Sequence, residues 1–294
     1  METVMDVANA LGETGDEIKP EDALGECLPW PQDVHLYQPP EETQLLLPER
    51  ASCLAVKTYL RMCRLPFGER QCDNAEFMSP GGRLTKLPLL RLGRHLFTEF
   101  EPIVGHVEVT QLSHALSAWL PAEEREDMRS MVTHAENTFT LAELHQCYLQ
   151  PEIYASHTLP RNGAAHPWPL SSMRRHEKRD EALRLLRVYQ WHQLDAAAVR
   201  AQLQQCCQLL SDKLEQAETE TETKIDSQLI ASYLYGPQLC ELDALVFGHV
   251  AAILASQLVS SMLAETVRSY PRLIAHSRRI DEAYFQGKQL AGEP

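Results

Sequence analysis

One stretch limits the possible folds more than any other: residues 242–258 carry apolar side chains on every side of a helical wheel. Such a helix is either the buried centre of a large domain or a membrane span. Four polar residues border or interrupt it, namely Glu241, Asp243, His249 and Gln257. A span requires about 20 predominantly apolar residues with few or no charges. The sequence therefore predicts the central helix of a large core.

The residues at the start of this helix predict how it begins. Asp243 lies three residues after Cys240, where its carboxylate can accept a hydrogen bond from the backbone N–H of the N-cap residue. A thiol is a poor cap, so we expect only half of a capping box. We therefore assign Cys240 and Asp243 a structural role, and expect His249 to be a hydrogen-bonded core residue.

Composition excludes several classes of protein. The chain has 294 residues, 44% of them hydrophobic, which is enough for two packed domains. Its formal net charge of -14 argues against a nucleic-acid binder, because neutralising phosphates requires an excess of Lys and Arg. The eight cysteines form no Cys-x-x-Cys pair and the histidines no His-x-x-x-His pair. We therefore expect reduced, mostly buried thiols, no metal site and no cofactor.

The first 28 residues form an acidic segment. They carry eight acidic residues and one lysine, which amounts to half of the chain's net charge. A presequence for the mitochondrial matrix is Arg-rich and poor in acids, so no cleaved presequence is expected. We predict a disordered tail over residues 1–28 and a short flexible tail over residues 287–294, without an apolar anchor.

Between these tails the hydrophobic pattern divides the chain near residue 112. Residues 29–112 read as strand, helix, strand, short helix, β-hairpin and helix, which is the thioredoxin-like order. The predicted strands cover residues 33–37, 67–72, 86–91 and 95–98, and the predicted helices cover residues 50–64, 74–78 and 102–109.

Residues 113–286 show helical spacing only. The predicted helices cover residues 121–149, 172–189, 194–215, 242–258, 263–269 and 271–285. Residues 150–170 have no clear period and are predicted to be a long irregular segment, and the polar residues 217–224 an exposed connection.

Several segments of the chain resemble known families. The aromatic turn at residues 233–236 and the buried helix after it resemble the central helix of the glutathione-transferase C-terminal domain. Residues 241–249 are more specifically similar to the metaxin family, although Cys240 replaces the usual Thr cap. Further similar segments lie at residues 54–56, 61–63, 74–80, 167–170, 205–208 and 278–280.

The resemblance implies a fold that combines α/β and all-α parts. Residues 29–112 would form a thioredoxin-like N-terminal domain, and residues 113–286 an all-helical C-terminal domain, as in glutathione transferases. It also implies a structural role for Pro88, whose peptide bond would be cis where the chain turns into the third strand.

For function, the resemblance implies a non-enzymatic component of the mitochondrial outer-membrane sorting and assembly machinery. Such a protein would aid the import and insertion of β-barrel proteins and contribute to mitochondrial transport. It would lie peripherally on the cytosolic face, with a metaxin-1-like protein and the barrel subunit of the machinery as partners. Motor adaptor proteins are further implied partners.

Two other functions stay open at this stage. An active glutathione transferase needs a hydroxyl or thiol at its first helix, where the chain offers Ser52 and Cys53, and an acid-Ser pair before its third helix. There the chain has Glu99-Phe100, and Phe100 cannot donate a hydroxyl hydrogen bond. The other alternative is a soluble cytosolic scaffold of the same fold.

Two features are candidates for a partner or membrane surface. The first is a basic group within an acidic chain: Arg174, Arg175, Lys178 and Arg179. Basic residues on one helix face can meet anionic headgroups, although an ordinary surface that pairs with its own acids also explains them. The second is Trp168, between two prolines, which either fills the helical bundle or anchors a partner.

Overall fold

The computed structural model describes residues 29–40, 47–72, 87–111, 114–164, 166–224, 232–256, 258 and 261–290. The predicted acidic tail, the predicted short helix at residues 74–78 and residues 291–294 lie outside this part of the chain. Residues 287–290 of the predicted C-terminal tail lie within it, and the backbone N–H of Leu290 donates to Asp281 Oδ2 at 2.8 Å.

A four-stranded mixed sheet forms one layer. Its strands are β1 (Val34–Gln38), β2 (Gly68–Gln71), β3 (Leu89–Leu92) and β4 (His95–Thr98). They lie in the order β2-β1-β3-β4, with β1 parallel to β2 and antiparallel to β3, and β3 antiparallel to β4. This is the thioredoxin-like topology that the sequence predicts.

Local chemistry explains how the sheet turns. Gly93, with a φ of +57°, allows the tight connection between β3 and β4. The Leu87–Pro88 peptide bond just before β3 is cis. Leu36 and Leu90 face each other across β1 and β3 and are fully buried, so the sheet contributes one face to the main core.

Eight helices of at least seven residues account for most of the remaining described chain. They are α1 (Leu47–Met62), α2 (Phe100–Thr110), α3 (Ala122–Leu149), α4 (Leu170–Val188), α5 (Ala196–Lys224), α6 (Glu241–Leu254), α7 (Met262–Arg268) and α8 (Pro271–Phe285). Every residue of α6 is buried, and this helix packs against α1, α3, α7 and α8. The predicted central helix and the predicted fold class are thus confirmed. Within the described residues, no helix is both long and apolar enough to cross a bilayer.

Two predictions about the helical part were wrong. Residues 151–161 are not irregular but form helical turns, with a π-helical turn at Tyr154–Thr158. A search for a 3.6-residue period misses such a turn, which Thr158 Oγ1 fixes by donating to the carbonyl of Cys147 at 2.7 Å. The predicted exposed connection at residues 217–224 is instead the end of α5. Tertiary contact supports that extension, because Arg272 of α8 pairs with Glu215 and Glu218.

The contact between α1 and α6 joins the sheet layer to the helical layer. Gly248 lies where a Cβ atom would come within 2.6 Å of both Ala51 O and Ala55 N. These are backbone atoms of α1, so the two helices can approach this closely only because residue 248 has no side chain. The same core cluster contains residues from the sheet, α1 and α6.

A buried polar pair joins α6 to α3. His249 Nδ1 lies 2.9 Å from Glu143 Oε1, and the imidazole stacks on Phe139 with ring centroids 5.1 Å apart. Burial raises the pKa of the Glu143 carboxyl, and the attraction of His249 opposes that rise. His249 is therefore the hydrogen-bonded core residue that the sequence predicts.

We expect Gly248→Ala to lower the free energy of unfolding by about 3 kcal/mol, because overpacking against fixed backbone cannot relax. Denaturant titration measures this loss. Gly105→Ala in α2 is the matched control, since a Cβ there meets nothing within 4 Å. The control should gain about 0.5–1 kcal/mol from helix propensity. Equal effects of the two variants would show that α1 and α6 do not approach as described.

The Glu143–His249 pair predicts how stability depends on pH. A carboxyl whose pKa is raised by folding binds its proton more tightly in the folded state, so it favours folding most below its unfolded pKa, about 4.3. This stabilisation is lost as the pH rises through the raised folded pKa. Denaturant titrations across this range should show a smaller loss for Glu143→Gln than for the wild type. Glu152→Gln controls for removal of a carboxylate, and an unchanged pH dependence in Glu143→Gln would contradict the assignment.

Candidate functional site

The carboxylate of Asp243 is the centre of a fully buried network at the start of α6. Its Oδ2 accepts from the Cys240 backbone N–H at 2.8 Å and from the Cys240 thiol at 3.1 Å. Its Oδ1 accepts from the Leu234 backbone N–H at 3.0 Å and lies 2.7 Å from His276 Nε2. The aspartate thus ties three segments together: the preceding turn, α6 and α8.

Cys240 acts in this network as a hydrogen-bond donor. Burial and the neighbouring Asp243 carboxylate raise the pKa of its thiol well above the ordinary value. A neutral thiol beside a carboxylate is not a nucleophile, since the thiolate is the reactive form. The spacing of Cys240 and Asp243 predicts their contact, but nothing in the local sequence points to His276, which lies 33 residues away.

The side chain of Cys53, at the position that would bear a catalytic thiol, is packed in the core. Cys53 lies in the second turn of α1 rather than at its N-terminus and is only 2% exposed, while Ser52 is half-buried. Burial also raises the pKa of the thiols of Cys63, Cys147 and Cys206 to about 12. Among the described residues, no group of three or more His, Cys, Asp or Glu side chains could hold a metal ion.

The start of α2, where a glutathione transferase needs its acid-Ser pair, is apolar here. Phe100 is 1% exposed and packs edge-on against Tyr59, with ring centroids 5.8 Å apart. Glu99 has a φ of 66° and a ψ of 165°, a conformation that costs a non-glycine residue of order 1–3 kcal/mol. The turn therefore has a strained backbone and presents a buried ring where the resemblance calls for a hydroxyl.

An exposed apolar surface lies at the start of α4. Its residues are Trp168, 83% exposed, Leu170, 42% exposed, and Met173, 57% exposed. We refer to these three as the Trp168 surface. Trp168 does not fill the helical bundle, which was one of the two roles that the sequence predicts for it. No local pattern marks Leu170 and Met173, whose exposure only the structure shows.

The basic residues beside this surface contact their own chain. Lys178 Nζ lies 2.9 Å from Glu49 of α1, Arg174 pairs with Glu177 at 3.0 Å, and the guanidinium of Arg179 lies 4.9 Å from the centre of the Tyr154 ring. The fourth residue, Arg175, packs beside Gly163. Two of the four basic residues thus pair with acids of the same chain, and the Lys178–Glu49 pair joins α4 to α1.

Solved structures share this architecture. A glutathione S-transferase from Rhodospirillum rubrum F11 is 16% identical and aligns over 89% of this chain and 93% of its own, with a TM-score of 0.51. Glutathione S-transferase III in its apo form is also 16% identical, over 89% and 97% of the two chains, with a TM-score of 0.52. A family model for the glutathione S-transferase C-terminal domain matches residues 222–280. The class is therefore that of glutathione-transferase-like folds.

Sequence relatives define the family within this class. Metaxin-2 of Mus musculus is 34% identical over 258 residues, which cover 88% of this chain and 91% of the relative. Metaxin-2 of Homo sapiens is 34% identical over 88% of this chain and 92% of its own, and the Metaxin-2 homolog of Caenorhabditis elegans is 34% identical over 76% and 89%. A family model described as outer mitochondrial membrane transport complex protein matches residues 53–179. The chain belongs to the metaxin family.

We expect Asp243→Ala to destabilise the protein by about 3–5 kcal/mol, since it leaves two buried backbone N–H groups and His276 without their acceptor. Thermal and denaturant unfolding measure the loss. Cys240→Ser, which keeps a donor at the same place, should stay within about 1 kcal/mol of the wild type. A large loss in Cys240→Ser with little loss in Asp243→Ala would overturn the assignment of Asp243 as the centre.

Proposed function

We propose that this chain is a non-enzymatic subunit of the mitochondrial outer-membrane sorting and assembly machinery, where it aids the import and insertion of β-barrel proteins. Membership in the metaxin family carries this proposal, because one matching family model is described as an outer mitochondrial membrane transport complex protein. The proposal places the chain peripherally on the cytosolic face, with a metaxin-1-like protein and the barrel subunit as partners. A contribution to mitochondrial transport through motor adaptor proteins belongs to the same proposal.

Two positions match those at which a glutathione transferase holds glutathione, and here Cys53 and Phe100 occupy them. We call them together the altered glutathione place, and we take their burial as support for a non-enzymatic role. Phe100 replaces the hydroxyl that would hold the γ-glutamyl end, and Cys53 is buried in the second turn of α1 rather than placed at a helix N-terminus. Thiol chemistry requires a thiolate with access to its substrate. Cys53 is only 2% exposed, so its packing does not allow that access.

The Trp168 surface supports binding as the retained activity. An exposed tryptophan beside a leucine and a methionine resembles the aromatic centre of a protein interface, where a few large side chains contribute most of the binding energy. We propose that this surface contacts the metaxin-1-like partner. The neighbouring Arg174, Lys178 and Arg179 would form its polar rim.

We further propose that residues 29–112 and 113–286 form two structural units that bind as one body. The close packing of α1 on α6 supports this view, since a shared core restrains the movement of one unit against the other.

The test is fractionation of tagged full-length protein, followed by capture of the metaxin-1-like partner. We expect the protein to pellet with mitochondria, to be digested by protease without rupture of the outer membrane, and to be released by carbonate. Trp168→Ser should reduce partner capture at least tenfold, as expected for a central interface tryptophan. Val188→Ser, at the other end of α4 and 69% exposed, is the matched control and should keep capture unchanged.

Two outcomes would overturn the proposal in different ways. A protein that stays in the supernatant after mitochondria are removed would be a soluble scaffold of the same fold. Glutathione binding that is abolished by Ser52→Ala or Cys53→Ala would identify an active glutathione transferase. If the protein fractionates as expected but Trp168→Ser captures as much partner as the wild type, the partner contacts another surface.

A further inference from the structure

We propose that the acidic segment at residues 1–28 binds a basic cavity on the same chain, between the end of α1, β2 and the end of α8. The cavity consists of two adjoining depressions of about 400 and 430 Å³, which share Arg61, Glu69 and Tyr284. We call them together the basic cavity. It lies at the end of α1, where Arg61 is two turns of helix beyond Cys53.

The cavity is positive although the chain as a whole is acidic. Among the described residues that line it, four cations face one carboxylate: Lys57, Arg61, Arg64 and Lys288, with Glu69. The formal net charge of the whole chain is -14. A concave surface of one sign concentrates the field and attracts ligands of the opposite sign. The cavity is therefore suited to an acidic segment.

Internal contacts hold two of the cations of the cavity, Lys57 and Arg61, in place. Lys57 Nζ lies 2.9 Å from Glu69 Oε2, and Arg61 Nη2 lies 3.4 Å from Glu69 Oε1. Arg61 Nη1 also donates to the carbonyl of Tyr284 at 3.0 Å, and its guanidinium lies 4.3 Å from the centre of the Phe285 ring. Ordered guanidinium groups bind carboxylates at a lower entropic cost than mobile ones.

The acidic segment joins the described structure at the rim of this cavity. Trp30 Nε1 donates to the carbonyl of Pro66 at 2.8 Å, and Pro66 is one of the residues that line the cavity. An extended chain spans at most about 3.6 Å per residue, so Glu26 can reach roughly 14 Å from Trp30, and Glu21 roughly 32 Å. Acidic side chains nearest to the anchor can therefore reach the cations.

Charge and attachment together favour this occupant over a segment of another protein. Residues 1–28 carry eight acids and one lysine. A tethered segment is present at an effective concentration in the millimolar range, so it occupies the cavity even if each ionic contact is weak. Acidic segments of other proteins would have to displace it, which makes the cavity a regulated site.

Zero-length carbodiimide cross-linking of the full-length protein tests the contact directly. This reagent joins amines to carboxylates in contact, and mass spectrometry identifies the joined residues in the monomer. We expect links from Lys288 to Glu21, Asp22 or Glu26, and their loss at 1 M salt, because high salt screens exposed charge pairs. Lys213, on the surface of α5 and paired with Asp127, is the control lysine. Equal linking of the acidic segment to Lys213 and Lys288 would overturn the proposal.

A competition experiment separates this occupant from others. The probe is a labelled peptide of residues 1–28, titrated onto a full-length variant whose eight acidic residues in this segment are changed to their amides. We expect the peptide to bind this variant at least tenfold more tightly than it binds the native chain, whose own segment competes. Adding Arg64→Glu and Lys288→Glu, both exposed, should abolish binding while leaving the melting temperature unchanged.

Two results would contradict the proposal. If the peptide binds neither protein, the cavity does not recognise the segment. If it binds both equally and the cavity substitutions remove that binding, the cavity accepts acidic peptides but its own segment does not occupy it.

Discussion

The rest of the structure depends on the contact of two backbones, that of α6 at Gly248 and that of α1 at Ala51 and Ala55. Helices usually pack 8–10 Å apart, with side chains filling the space between them. Here the missing side chain lets α6 lie directly on α1, which itself lies against the sheet. One core cluster then extends from β1 and β3 through α1 to the helices around α6. The two layers are thus not independent bodies, and a surface on one is fixed relative to a surface on the other.

An apolar helix at the centre of a core must still satisfy its polar groups. Asp243 satisfies the start of α6 with four hydrogen-bond contacts, and His249 contacts Glu143 in its middle. Buried polar networks are costly when incomplete, because a polar atom without a partner loses its hydration without compensation. The same polar residues argue against a membrane span in the sequence, and in the structure they fix how α3, α6 and α8 meet.

The sequence predicts the helices, strands and contacts that follow from a local pattern. It misses the contacts that depend on residues far away in the chain. Periodicity finds α6, the strands and the hairpin at Gly93, and the three-residue spacing finds the contact of Asp243 with Cys240. Neither pattern identifies His276, which lies 33 residues from Asp243, or Glu143, which lies 106 residues from His249. The end of α5 was missed for the same reason, since Arg272 supports it from another helix. Among the candidate surface residues, no local signal shows that Lys178 contacts Glu49 across 129 residues.

The start of α2 shows how a glutathione-transferase-like fold can keep its architecture while one local position becomes part of the core. Glu99 has a strained backbone conformation, and Phe100 after it is buried against Tyr59. A buried ring at this position adds apolar contacts to the core, so packing favours Phe100 there. The rigid body that remains can present features elsewhere, and the Trp168 surface and the basic cavity both lie outside that place. The first turn of α1 bears the contact with Lys178 and its last turn lines the basic cavity, so one helix connects the two surfaces.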